Sequence, residues 1–185
     1  LLNSDGQRFG NETTGYSEYA VPVVAQPGGQ AWVVLDERID RACRPFKDYQ
    51  DLLEANAVRW ANDESELAHL LGAPSAAVES TLAAARSAAS GETADEFGRT
   101  FWEEPLRPPY GAVKVTGALF HTQGGLRVDA NATVLRSGAP ITGLFAAGGA
   151  AVGMSGHGAA GYLAGNGLLS ALGLGYLAGN HAAEI

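Results

Sequence analysis

Cysteine is almost missing from this chain: Cys43 is the only one among 185 residues. A single thiol forms no internal disulfide and supports no cysteine-based metal site. Basic residues are also few, with 12 Lys and Arg against 20 Asp and Glu and a formal charge of −8. That balance leaves no cationic face for the phosphates of a nucleic acid. Long hydrophobic runs are lacking too. The most apolar stretch, around residues 163–179, is interrupted by glycines, Asn166 and Ser170, so a buried helix accounts for it better than a membrane span. Leu1-Leu2-Asn3-Ser4 has neither the basic nor the apolar region of a secretory signal. With the lone thiol, this makes the cytoplasm the expected location. The chain opens on leucine in the middle of a motif, and we expect it to be part of a larger protein.

Apolar residues make up 46% and charged residues 17%, the composition of a core-forming globular chain. Glycine is abundant, at 25 residues, and gathers between residues 121 and 182. Glycine lets a backbone or a ligand approach closely but costs about 0.5–1 kcal/mol relative to Ala inside a helix. Its repetition there points to a large object to be accommodated.

Taken in order, Asp5-Gly6 predicts a turn followed by a short strand. Residues 13–19 predict a loop and 20–25 a strand. Gln26-Pro27-Gly28-Gly29-Gln30 predicts a turn, and 31–36 the returning strand of a hairpin. Short helices are expected across 37–60. Asn62 or Asp63 can cap a helix carrying Leu67, Leu70 and Leu71, ended by Gly72. Val78, Leu82, Ala85 and Ala89 mark one face of a helix opened by Ser75. Pro105, Pro108 and Pro109 lie in a connector, the candidate domain boundary. Beyond it, Val113 and Val115 predict a strand, 129–138 a hairpin, 141–147 a buried strand entering Gly148-Gly149, and about 164–182 the last helix. No histidine pair stands at ligand spacing with a carboxylate, so no metal is expected.

His-Thr-Gln-Gly-Gly-Leu-Arg-Val-Asp from His121, Gly-Leu-Phe-Ala-Ala-Gly-Gly from Gly143 and Gly-Tyr-Leu-Ala-Gly-Asn-Gly from Gly161 occur in an order and spacing that carry a likeness. Together with Asp5-Gly-Gln-Arg-Phe-Gly-Asn-Glu12, they resemble the flavoprotein family of fumarate reductases, succinate dehydrogenases and ketosteroid dehydrogenases. The resemblance spans nearly the whole chain. It implies an α+β fold: a helical and β-hairpin cap region, then β-strands and a buried C-terminal helix that complete an FAD-binding α/β domain. Residues 1–107 would be the substrate-covering cap. Residues 108–185 would be the C-terminal segment of the FAD domain, whose Rossmann N-terminal part is absent here and would be supplied by the same protein. Alone, the chain is expected to bind FAD weakly or not at all and to be inactive.

The likeness also implies roles. Gly148 and Gly149, with the backbone amides of Gly167 and Leu168, would meet the cofactor. His121, Thr122 and Gly165 would meet a small-molecule substrate. In fumarate reductases an arginine follows the Arg-Phe-x-Asn-Glu motif, and a second grips the substrate carboxylate. Tyr16 and Tyr162 stand in their places here, with Tyr19 an alternative to Tyr16 if the loop is shifted. Phenols of pKa ~10 instead of permanent cations favour a ketone over a dicarboxylate. The expected enzyme is therefore an FAD-dependent dehydrogenase or reductase of CH–CH groups, ketosteroid dehydrogenase-like, with Tyr162 and Tyr16 catalytic. The alternatives are a fumarate reductase-like reductase of an unsaturated acid, favoured by His121-Thr122, and a non-catalytic binding or dimerisation module. Arg8 and Glu12 would tie the cap to the FAD domain by hydrogen bonds, and Asp95, Phe97 and Arg99 would form a structural clasp.

Overall fold

The first strand, β1 (Gln30–Asp36), holds Trp32, Val33 and Val34, residues suited to a pleated, half-buried surface. In the computed structural model, which describes residues 1–119 and 122–185, it runs antiparallel to β3 (Tyr110–Thr116), with Val33 opposite Val113. A short strand, β2 (Arg59–Ala61), lies on the other side of β3. The hairpin expected between 20–25 and 31–36 is not formed. Residues Tyr16–Val24 are the helix α1, not a loop and a strand. Tyr19 and Val23, four residues apart, bury one face of α1 against Ala31. That contact outweighs the strand preference of the valines, as tertiary packing often does.

The helices between β1 and β3 fall close to where the sequence predicts them. They are α2 (Glu37–Cys43), α3 (Lys47–Glu54), α4 (Glu64–Leu71) and α5 (Ser75–Ala89). Asp36 ends β1 and caps α2 through the Ile39 amide at 3.1 Å. Asp63 caps α4 through the Glu66 amide at 2.8 Å, and Gly72 closes α4 in the left-handed conformation, φ 70°. Leu67, Leu71, Val78 and Leu82 from α4 and α5 meet Trp32, Tyr110 and Ala112 of the sheet in the main core.

By its contacts the chain divides into two compact units, 1–117 and 118–185. β3 belongs to the first unit because it pairs with β1 and β2. In the second unit β4 (Thr133–Arg136) and β5 (Ala139–Phe145) form a hairpin. Ser137 (φ 51°) and Gly138 (φ 86°) turn it, both in the left-handed region that a two-residue hairpin demands. The hairpin expected over 129–138 forms over 127–135, where Val128 pairs antiparallel with Val134, the Asp129 amide donates to the Thr133 carbonyl at 3.0 Å and the Leu135 amide to the Arg127 carbonyl at 2.8 Å. Helix α6 (Asn166–Ala182) closes the chain.

Two expectations of burial differ from the structure. β5 is largely exposed, and α6 buries only Asn166 and Ser170, while Leu168, Leu169, Leu172 and Tyr176 are 56–74% exposed. The core of this unit is Val134, Ala146 and Ala151, with Val128, Ile141 and Leu174 packed around it. It is too small to cover both faces of a 17-residue helix.

One buried ionic cluster organises the first unit. The Arg8 guanidinium grips Glu12 by two bonds, at 3.0 and 2.8 Å, and also meets Asp95. Arg99 adds a bond to Glu12 at 3.3 Å, and the amides of Phe97 and Arg99 donate to Asp95 at 3.1 Å. The guanidinium of Arg8 lies 5.2 Å from the Phe97 ring and 5.3 Å from that of Trp102. Side-chain exposure is 6% for Arg8 and 2% for Asp95. Burial disfavours the charge on Glu12, but the hydrogen bond and charge of Arg8, the amino group of Leu1 at 3.0 Å and a backbone amide together outweigh it and hold the carboxyl down to about 2. Arg8 and Glu12 thus have partners in their own unit. The expected tie and the expected clasp are one cluster.

Arg8→Met should lower stability in urea unfolding by about 3–5 kcal/mol, the cost of stranding buried carboxylates. Glu12 titrates at about 2 in the fold against its ordinary 4.5. Its stabilisation is therefore whole above about pH 4.5 and is lost as pH falls towards 2. Unfolding measured across that window should decline less steeply for Glu12→Gln than for the native chain.

Candidate functional site

Helix α6 starts on Gly165, left-handed at φ 78°, and no side chain caps it. The amides of its first turn, Gly167 and Leu168 among them, carry the partial positive charge of a helix start. A Cβ built on Gly149, Gly165 or Gly167 would meet no atom within 4 Å. No neighbouring atom of the chain fills the space beside these three glycines. Gly148 is different. It has φ 55°, and a Cβ there would come within 3.3 Å of Ala171, so the Gly148-Gly149 turn rests directly on α6.

Three loops converge on this helix. The first holds Thr122 and Gln123; His121 lies outside the described residues. The carbonyl of Gln123 accepts from the Gly153 amide at 3.0 Å, and its side-chain amide donates to the Asn166 carboxamide oxygen at 3.2 Å. The second is the Gly148-Gly149 turn. The third runs from Gly153 to Ala164. Its two limbs close on each other at Gly156 and Gly161, whose amide and carbonyl bond at 2.7 Å. The Leu163 amide donates to Ser155 Oγ at 3.1 Å, and the Leu163 carbonyl accepts from Asn166 Nδ2 at 2.8 Å. Half-buried Tyr162 sits between these anchors. Thr122, Tyr162, Gly165, Gly167 and Leu168 thus gather at one helix end, and Gly148 and Gly149 lie against the same helix further along, at Ala171.

Tyr16 belongs to the first unit, where it is the first residue of α1 and 71% exposed. Tyr19, its alternative, is buried beside Phe9, and burial pushes its phenol up to about 12. A phenol so placed is neither accessible nor a useful base, so Tyr16 is the better candidate. A cavity of about 370 Å³ in the first unit is lined partly by Arg8, Arg38, Leu82 and Trp102 and by none of the expected site residues. Among the described residues no group of His, Cys, Asp or Glu could hold a metal ion, and no helix is long and apolar enough to cross a membrane. Gln123 and Asn166 escaped the sequence reading. The one available signal was a polar side chain at the start of an apolar helix.

The sequence profile of the FAD binding domain matches residues 1–168. A probable fumarate reductase of Shewanella frigidimarina is 30% identical over 188 residues, taking in all of this chain and 31% of that protein. The 3-oxosteroid 1-dehydrogenase of Mycobacterium tuberculosis is 28% identical across all of this chain and 38% of its own length. Among solved structures, the open conformation of a flavocytochrome c3 fumarate reductase superposes with a TM-score of 0.75 at 30% identity, covering 99% of this chain and 32% of that one. The chain spans about a third of the length of the curated relatives it matches.

Packing separates the glycines into two kinds. Gly161→Ala puts a Cβ 2.5 Å from the Gly156 backbone and should lower stability by about 1–3 kcal/mol through overpacking. Gly124→Ala meets no atom within 4 Å and should stay within about 0.5 kcal/mol of the native chain. Thermal unfolding of the two variants checks this.

Proposed function

The chain belongs to the FAD binding domain family, and from that membership we propose that it forms the substrate-covering cap and the returning segment of an FAD-dependent oxidoreductase acting on a C–C bond next to a carbonyl. The open space beside Gly149 and Gly167 and the uncapped start of α6 fit a flat ring system that carries negative charge when reduced. When bound, FAD supplies the hydride acceptor or donor. The residues of this chain do the rest. The amides of Gly167 and Leu168 face the charged edge of the ring. The hydroxyl of Thr122, next to His121, orients a substrate oxygen. Tyr162 donates a hydrogen bond to the carbonyl or moves the proton, and Tyr16 is the catalytic candidate that the first unit offers.

One observation favours a ketone over an acid. From Ser137 to Ile185 there is no lysine or arginine, and Tyr162 stands in the stretch where relatives of the fumarate reductase kind are expected to place the arginine that grips a carboxylate. A dicarboxylate would find no guanidinium in this wall of the site, whereas a neutral carbonyl needs only a donor. The second reading, reduction of an unsaturated acid, is supported by His121-Thr122 and by the fumarate reductases among the relatives. Reoxidation of the reduced full-length protein by a cyclic enone and by an unsaturated dicarboxylate, compared at equal concentration, separates the two. Purified full-length protein without yellow colour would favour a non-catalytic module.

The apolar side chains exposed on α6 and β5 support a further element of the proposal. They are the surface on which the Rossmann part of the same protein would rest, in keeping with relatives about three times as long.

Two substitutions test the assignment. Gly167→Ala meets no neighbour within 4 Å in this chain and improves helix propensity by up to about 1 kcal/mol. It should leave the chain as stable as before or more so, yet weaken FAD binding in the full-length protein, measured by flavin release. Tyr162→Phe should leave FAD binding intact and cut turnover about 10²–10⁴-fold, the contribution of a positioned acid or base. Unchanged turnover would remove Tyr162 from the mechanism.

A further inference from the structure

The polar residue at the centre of the convergence is Asn166. It is the first residue of α6 and is 97% buried, with 3% of its surface exposed. Its two carboxamide atoms serve two different loops. The oxygen accepts from Gln123 Nε2 at 3.2 Å, and the nitrogen donates to the Leu163 carbonyl at 2.8 Å. Gln123 follows Thr122, and Leu163 follows Tyr162. The backbone amide of Asn166 also donates to Leu163 O, at 3.1 Å, and Gly167 and Leu168 come next in the chain. One side chain thus fixes the substrate-side loop, the tyrosine loop and the helix start against each other. An isosteric carboxylate could not do both tasks, because it lacks the donor. An aliphatic residue could do neither.

Gly153 supplies an independent observation. Its backbone is not in the glycine-only region, so an alanine would be conformationally acceptable. A Cβ there would nevertheless collide with the side-chain carboxamide of Gln123. The loop leaves open the space that Gln123 needs to reach Asn166.

We propose that Asn166 is a positioning residue which latches Thr122 and Tyr162 to the flavin-facing end of α6, through Gln123 on one side and Leu163 on the other. This rests on the function proposed above. The two arms of the latch make separable predictions in the full-length protein. Gln123→Met removes the substrate-side arm. So does Gly153→Ala, by displacing the Gln123 side chain. Both variants should raise amide hydrogen exchange at 123–126 about tenfold, roughly the worth of one hydrogen bond. They should also raise KM by a similar factor while kcat stays within about twofold. Asn166→Asp keeps the acceptor for Gln123 and loses the donor to Leu163. It should leave exchange at 123–126 near the native rate and lower kcat instead, since the Tyr162 loop is the one released. KM is measured with whichever of the enone and the unsaturated acid reoxidises the flavin.

Unchanged exchange at 123–126 in both Gln123→Met and Gly153→Ala would overturn the latch. So would equal changes in KM and kcat across all three variants, which would mark Asn166 and Gln123 as merely structural. A full-length protein with no flavin or no turnover would overturn the proposed function instead, and hydrogen exchange would still decide whether the latch exists.

Discussion

A helix that begins on a left-handed glycine has no side chain of its own with which to satisfy its first amides. α6 begins that way, and among the described residues no side-chain cap is made at Gly165. A serine or aspartate at Gly165 would ordinarily add about 1 kcal/mol. The chain forgoes this and spends its polar contacts beside the helix end instead. Gln123, Asn166, Leu163 and Ser155 bond one another around it, and Gly148 lets a turn settle on Ala171. An end left open inside a well-ordered rim is suited to an anionic or electron-rich group from outside. The rest of the second unit follows from keeping that end open and its rim fixed.

The first unit rests on a different interaction. Arg8 joins residues 87 positions apart when it meets Asp95, and Arg99 spans the same distance to reach Glu12. A buried charge cluster is not in general more stabilising than apolar packing of the same volume. What it does here is fix a place. Glu12 is pinned, and α1 begins four residues later with Tyr16 at its exposed first position. The ionic cluster therefore sets where the first unit presents the Tyr16 phenol.

Legibility in the sequence followed the range of the interactions. Asp63 and Gly72 bracket α4 as their types predict, because capping involves neighbours a few residues away. β1 was legible as a strand, but its partner was not. Nothing in Gln30–Asp36 says that the matching strand lies some eighty residues on at Tyr110–Thr116. α1 was misread because its valines favour strands in isolation, and only the contact of Tyr19 and Val23 with Ala31 settles the matter. Gln123 and Asn166 were overlooked for a similar reason. Each is a single polar side chain among glycines, without periodicity, and its meaning appears only when two loops meet. The exposure of Leu168, Leu172 and Tyr176 was also hidden, since an apolar helix announces that it will be covered but not by which part of a protein.

The choice between ketone and acid turns on where charge can be found. A dicarboxylate entering a site loses its water, and only fixed cations of good geometry recover that loss. The open end of α6 offers a partial charge of about +0.5, which a reduced flavin would itself use. Tyr162 offers a neutral donor, and the stretch from Ser137 onward contains no lysine or arginine to add to it. A wall built this way can orient an oxygen but not neutralise two carboxylates. The arginines of the second unit, Arg127 and Arg136, lie ahead of that stretch. The described cap arginines nearest the Glu12 motif, Arg8 and Arg99, are already held by Glu12 and Asp95. Drawing either away would strand a buried carboxylate, a larger loss than a surface contact could recover.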